Sequence, residues 1–135
     1  MTLLHWNPSL EVGHPTIDAD HQTLIDLVNK LGDPILSVAL ALAIFDELVA
    51  HAAAHFGREE ELMRTIAYAD YPKHSKEHRH LADDLSERRH ELASGTITGI
   101  SVGRFIRHWF TAHALFSDQF LADAILRKNT ERQTA

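Results

Sequence analysis

Seven side chains suited to binding metal ions recur along the chain: His21, His55 with Glu59, His74 with His78, and His113 with Asp118. Residues at i and i+4 lie one turn apart on a helix face, so His55/Glu59 and His74/His78 can each present two ligands to one centre. An unpaired polar group at a core position costs roughly 1–3 kcal/mol, and an unpaired buried charge costs more. Core histidines satisfied by their neighbours could account for one or two of these positions. Five histidines and a carboxylate on stripes that face one interior are better explained by a shared metal site.

The stripes themselves define the elements. Ile17, His21, Leu24, Val28 and Leu31 follow the spacing of one helix face, and Gly32, Asp33 and Pro34 stop it. A second stripe runs through Phe45, Leu48, Ala52, His55, Glu59 and Leu62. After Pro72, which suits a first helical turn, a third runs through His74, His78, Leu81, Leu85 and Leu92 to Gly95. The fourth carries Val102, Ile106, Trp109 and His113. Helices over about 17–31, 35–66, 72–93 and 100–127, joined by short connections, predict an all-α, antiparallel up-and-down four-helix bundle. Residues 1–16 form an N-terminal arm and 128–135 a polar tail, expected to fray. The 135 residues suit one domain with one core.

Composition narrows the chemistry. The chain is 44% hydrophobic and 24% charged, the balance of a folded domain. Its net charge of −6 and scattered basic residues argue against a nucleic-acid partner. With no cysteine, any metal must be held by nitrogen and oxygen, which excludes iron–sulfur clusters and thiolate-ligated haem. The first ten residues show no basic stretch followed by an apolar run, so a cytoplasmic location is expected. Six further histidines, His5, His14, His51, His80, His90 and His108, lack a second ligand at a useful spacing and are expected at the surface.

In order, the chain offers a lone His, then HxxxE, HxxxH and HxxxxD, each on its own helix. Around them stand Ile17-Asp18-Ala19-Asp20-His21, His55-Phe56 followed by Glu59-Glu60 and Met63, His74-Ser75-Lys76-Glu77-His78, and Trp109 four before His113. This pattern resembles the hemerythrin family, from Trp6 to about Leu126. The resemblance implies two iron ions joined by a bridging oxo or hydroxo group. His74, His78 and His113 would hold one iron, His21 and His55 the other, and Glu59 and Asp118 would bridge both. These groups fill all but one coordination position of two octahedral ions, and the vacancy falls on the iron with two histidines. The function implied is reversible dioxygen binding for carriage, storage or delivery, by a protein that is not an enzyme. The alternative is a di-iron redox enzyme or sensor acting on peroxide or nitric oxide. Matching positions nominate Leu24, Phe56, Trp109 and Phe110 as apolar walls of the dioxygen pocket. Ala114, where the family commonly has a bulky aliphatic residue, predicts a roomier one.

Two features need local explanations. The five-residue step from His113 to Asp118 turns about 140° on a regular helix, which points the carboxylate away from the site. A single wide π turn would bring it back, and Leu121 and Ile125 keep step with Asp118 as such a slip requires. Phe116 and Phe120 fit the unslipped register instead. The stretch 35–45 is apolar all round except for Ser37 and too short for a membrane span of roughly 20 residues. It is expected to lie buried beneath the arm carrying Trp6, in a monomer that does not enter membranes. The other reading is an exposed contact patch for a second subunit or partner.

Two rival site readings fit less well. His74-Ser75-Lys76-Glu77-His78 matches HxxEH, a zinc-peptidase pattern, but leaves His21, His55, Glu59 and His113 unexplained. A ferritin-like di-iron oxidase needs ExxH pairs on two helices, whereas Glu77/His80 and Glu87/His90 share one.

Overall fold

The computed structural model describes residues 2–134, with side-chain surroundings given for 2–131. Among them are α1 (Pro15–Lys30), α2 (Val38–Thr65), α3 (Tyr71–Ala93), α4 (Gly99–Ala112) and α5 (Gln119–Thr134). A π-helical segment, His113–Asp118, joins α4 to α5, so the two run as one fourth helix of an all-α bundle. A short 3-10 turn, Pro8–Leu10, lies in the N-terminal arm.

Local chemistry sets the helix ends. Pro15 stands in the first turn of α1, and His14 caps it, its Nδ1 accepting from the Ile17 N–H at 3.3 Å. The α2 start lies at Val38 rather than near 35, because the Ser37 hydroxyl accepts from the Leu40 N–H and fixes the first turn there. Thr98 caps α4 in the same way. Gly95, at φ 75°, ends α3 in the left-handed region that glycine enters without strain. The last helix continues to Thr134, beyond the expected frayed tail from 128.

The π segment resolves the register of the fourth helix. Val102, Ile106, Phe110 and His113 face inward before it, and Asp118, Leu121 and Ile125 face inward after it. Phe116 and Phe120, the two residues that fitted the unslipped register, are 64% and 61% exposed. One extra residue thus rotates the second half of the helix so that Asp118 rejoins the interior. Deleting Phe116 should place the aspartate four residues after His113 on a regular helix while Leu121 and Ile125 stay buried. Helicity and Tm by circular dichroism are expected to match or exceed those of the parent; a loss of helicity would contradict this register.

The arm does not cover the start of α2. The Leu3 and Leu4 N–H groups both donate to Asn29 Oδ1 at 2.9 Å, and Asn29 Nδ2 donates back to the Leu4 carbonyl, which ties the arm to α1. Leu3 is buried close against Gly103 of α4, where a Cβ would lie 2.3 Å from its Cδ1. Ile35, Val38 and Leu40 are therefore exposed, while Ala41 and Phe45 sink into the core. By length and composition α2 could cross a membrane. Here it packs along α1 and α3 and turns Phe45, Leu48, Ala52, His55 and Glu59 inward.

Two apolar clusters divide the interior. The larger contains Leu24, Leu48, Ala52, Phe56, Leu81 and Phe110; the smaller contains Ile17, Met63, Leu121 and Ile125. On each helix the candidate ligands stand between a residue of one cluster and a residue of the other: His21 between Ile17 and Leu24, Glu59 between Phe56 and Met63. The site is a polar layer sealed above and below by hydrocarbon.

Candidate metal centre

All seven side chains singled out by spacing converge in that layer, none more than 5% exposed. One ligand atom from each of Glu59, His74, His78, His113 and Asp118 lies within 4.8 Å of the others, and the same holds for His21, His55, Glu59 and Asp118. The two groups share Glu59 and Asp118. Asp118 faces both ways: Oδ1 lies 3.2 Å from His74 Nε2 and 2.9 Å from His113 Nε2, while Oδ2 accepts from His21 Nε2 at 2.8 Å. Glu59 Oε1 lies 3.1 Å from His78 Nε2 and 3.3 Å from His55 Nε2, with His74 and His113 at 3.7 and 3.9 Å.

These contacts fix the charge state of the metal-free chain. Burial pushes the Glu59 carboxyl up, but the imidazoles of His113, His55, His74 and His78 outweigh it and hold the group well below the ordinary range. Burial and Glu59 push Asp118 up, and His113 with His21 bring it below normal. Burial lowers His74, yet Asp118 and Glu59 lift it to about 9, and His113 rises for the same reason. Protons on imidazole nitrogens thus stand where cations could stand, and a bound metal ion would replace them.

The hydrogen-bond inventory shows why a metal fits. Each of the seven residues carries one buried nitrogen or oxygen without a hydrogen-bond partner. In His55, His74, His113 and Asp118 that atom also faces the other candidate ligands, whereas in Glu59 it is Oε2, the partner of the Oε1 that faces the imidazoles. In His21 and His78 the Nε2 is engaged with a carboxylate and the atom left over is Nδ1. Native interiors rarely tolerate such a concentration of unsatisfied groups unless an ion or ligand completes them. Imidazole nitrogen with carboxylate oxygen is a donor set for borderline and hard divalent metals, not for soft thiolate-seeking ones.

Behind the inner residues stands a layer of carboxylates that spacing did not identify. His55 Nδ1 donates to Asp20 Oδ2 at 2.8 Å, and Arg58 grips both oxygens of Asp20 at 2.8 Å. Burial raises the Asp20 carboxyl, but Arg58 and His55 hold it below normal, so the ionised oxygen can only accept. His113 Nδ1 donates to Glu77 Oε2 at 2.9 Å, and the Ser117 hydroxyl donates to the same oxygen. The His113 contact, ahead of the cost of burial, brings Glu77 down to about 2. Glu77 therefore backs His113 and does not face the His74/His78 pair as a peptidase base would. Glu60, which accepts from the Ser75 hydroxyl, lies 3.5 Å from His78 Nδ1. Donation from the far ring nitrogen fixes both the tautomer and the orientation of a ligating imidazole.

Of the five expected pocket residues, Leu24, Phe56, Trp109 and Phe110 line one cavity of about 20 Å³ beside the polar layer, whose wall is wholly apolar. Ala114 does not. It is buried in the larger apolar cluster, which also holds Leu10, and the segment that carries it packs against the Pro8–Leu10 turn. Among the remaining histidines His5, His80, His90 and His108 are exposed, His14 caps α1, and half-buried His51 lies 3.3 Å from the Asp20 carbonyl.

Residues 12–125 match the family profile described as the hemerythrin HHE cation binding domain. The bacteriohemerythrin of Stenotrophomonas maltophilia is 28% identical over 127 residues, spanning 93% of this chain and 83% of that one. That of Methylococcus capsulatus is 32% identical over 121 residues, 84% of this chain and 89% of its own. Among solved structures, wild-type hemerythrin superposes with a TM-score of 0.83 at 24% identity, covering 91% of this chain and 98% of that one. A single-substitution mutant of hemerythrin gives 0.84 at 25% identity, covering 93% and 98%.

Proposed function

The chain belongs to the hemerythrin family, and on that premise we propose that it binds dioxygen reversibly at a non-haem pair of iron ions. The observation that carries the proposal is the convergence of five imidazoles and two shared carboxylates, each with an unpartnered buried atom, beside an apolar cavity. His74, His78 and His113 would hold one iron and His21 and His55 the other, with Glu59 and Asp118 common to both. A bridging oxo or hydroxo group would complete the pair. When bound, the irons supply the electrons and the open coordination position that dioxygen requires.

The residues of the chain do the remainder. Asp20 and Glu77 hold His55 and His113 by their outer nitrogens, so the ring planes cannot turn when a ligand arrives or leaves. Phe110 meets the His21 ring edge-on at 5.0 Å, and Phe56 lies tilted against His55 at 5.9 Å, so the two-histidine side of the centre is walled by hydrocarbon. Leu24 and Trp109 close the rest of the cavity. A dry wall keeps water and stray protons away from bound dioxygen, and that exclusion favours release of the intact molecule over irreversible oxidation.

Gas uptake tests the proposal. The iron-loaded, anaerobically reduced protein is expected to take up one dioxygen for each pair of irons and return it under vacuum. Uptake that continues with substrate present, or that cannot be reversed, would replace carriage by turnover of dioxygen or peroxide.

A further inference from the structure

We propose that dioxygen reaches the inner cavity through the groove between α2 and α3, with Phe56 as the movable wall between them; this rests on the dioxygen-binding reading above. The groove has a volume of about 400 Å³; Phe45, Val49, Ala53 and Ala82 give it apolar surface, and Asp46, Glu60, Arg79 and Arg89 line it as well. It shares three residues, Ala52, Phe56 and Leu85, with the inner cavity. Small side chains at 52, 53, 82 and 86 leave the seam between the helices unfilled. An apolar solute that passes these charged side chains meets hydrocarbon at Val49, Ala52, Ala53 and Phe56, and hydrocarbon again beyond Phe56.

Phe56 is placed to act as the wall. Its ring lies flat against His78, with centroids 4.0 Å apart and planes 12° apart, and it meets Trp109 edge-on at 5.9 Å. It is only 8% exposed, so the route is shut in the resting structure. Motion about its side-chain torsions would join the two spaces without moving a helix.

A second groove, of about 320 Å³, runs between α3 and the fourth helix. It is lined by Lys73, Glu77 and Ser117 as well as aromatic residues, and it shares only Trp109 with the inner cavity. There the Trp109 ring is stacked on His113, centroids 4.4 Å apart and planes 16° apart. This passage meets the inner cavity at one residue instead of three, and the ring that closes it is an indole, larger than the Phe56 ring and stacked on a histidine in the same way, which makes it the poorer path.

The test plugs each groove in turn in the full-length chain. Ala53 and Ala82 are exposed, so Ala53→Phe/Ala82→Phe fills the first groove without touching the inner wall, and Ala112→Phe fills the second. In iron-loaded protein, stopped-flow rates of dioxygen binding and release should both fall about tenfold in the first variant, the effect of restraining a packed side chain by the cost of modest overpacking. The dissociation constant should not change, because obstructing a path alters both rates equally. Trp109 also lines the second groove, so the quenching arm is run in metal-free protein carrying Trp6→Phe and Ala112→Phe, in which that groove is filled. In this background dioxygen quenching of Trp109 fluorescence should fall on adding Ala53→Phe/Ala82→Phe and rise on adding Phe56→Leu, which opens the wall. Unchanged quenching on adding Ala53→Phe/Ala82→Phe, or quenching already abolished by Ala112→Phe, would overturn the route. The quenching arm needs no iron, so it decides the route even if uptake by the loaded protein proves irreversible.

Discussion

Replacing Glu59 by glutamine is expected to remove both metals from the purified chain, not one. Glu59 is fully buried and belongs to both ligand groups, with Oε1 within 3.9 Å of four imidazoles. The amide keeps the shape of the side chain but lacks the charge that offsets two divalent ions and the raised imidazoles around it. In the metal-free chain the same substitution leaves protonated histidines without their nearest counter-charge. Breaking a buried ion pair by removing one partner costs about 3–5 kcal/mol, which for a chain of this size lowers Tm by about 10–20 °C. Elemental analysis and thermal melts of the variant with and without iron measure both effects. Iron content equal to the parent's would show that Glu59 is not a shared ligand.

Removal of Asp20 should act on the centre without touching it. Its carboxylate is the sole hydrogen-bond partner shown for His55 Nδ1, and it is itself held in a bidentate grip by Arg58. In Asp20→Ala the His55 ring loses its anchor and a buried nitrogen is stranded, at a cost of about 1–3 kcal/mol. Metal affinity is expected to fall about 10- to 100-fold, the usual consequence of removing the outer partner of a ligating histidine. The loss should fall on the metal that His55 would hold with His21, so competition with a chelator should resolve one weakened metal and one of parental affinity. Arg58→Ala should weaken the same metal less, because Arg58 is 43% exposed and acts only through Asp20. Equal weakening of both metals would mean that Asp20 supports the fold as a whole and not His55 in particular.

Much of this arrangement is legible in the sequence because ligands and core residues share one periodicity. His21 keeps step with Ile17 and Leu24, and His55 and Glu59 with Ala52 and Leu62, so a single stripe reveals both the helix and the residues that break its hydrophobicity. Asp118 is legible for the opposite reason: its five-residue step from His113 is wrong for a helix, and Leu121 and Ile125 repeat the error. What spacing does not reveal is anything approached from outside the stripe. Asp20 and Glu77 sit on the flanks of their helices, and their partners, His55 and His113, lie 35 and 36 residues away. An acidic residue near a histidine of the set is a hint, but Asp18, three residues before His21, instead clips the Val12 and Gly13 N–H groups. The position of the arm was hidden similarly, since it depends on one amide, Asn29, bonding backbone 25 and 26 residues away. Nor does spacing reveal the surroundings of Ala114, which is buried in the larger apolar cluster on a segment that packs against the turn of the arm.

The direct test of a dinuclear centre built from these seven side chains is an anaerobic titration of the metal-free, full-length protein with ferrous iron, followed by the histidine resonances of the chain. Saturation at two equivalents is expected, with His21, His55, His74, His78 and His113 all shifted and His5, His80, His90 and His108 unchanged. Saturation at one equivalent, or a response confined to His74, His78 and His113, would contradict a shared two-metal site.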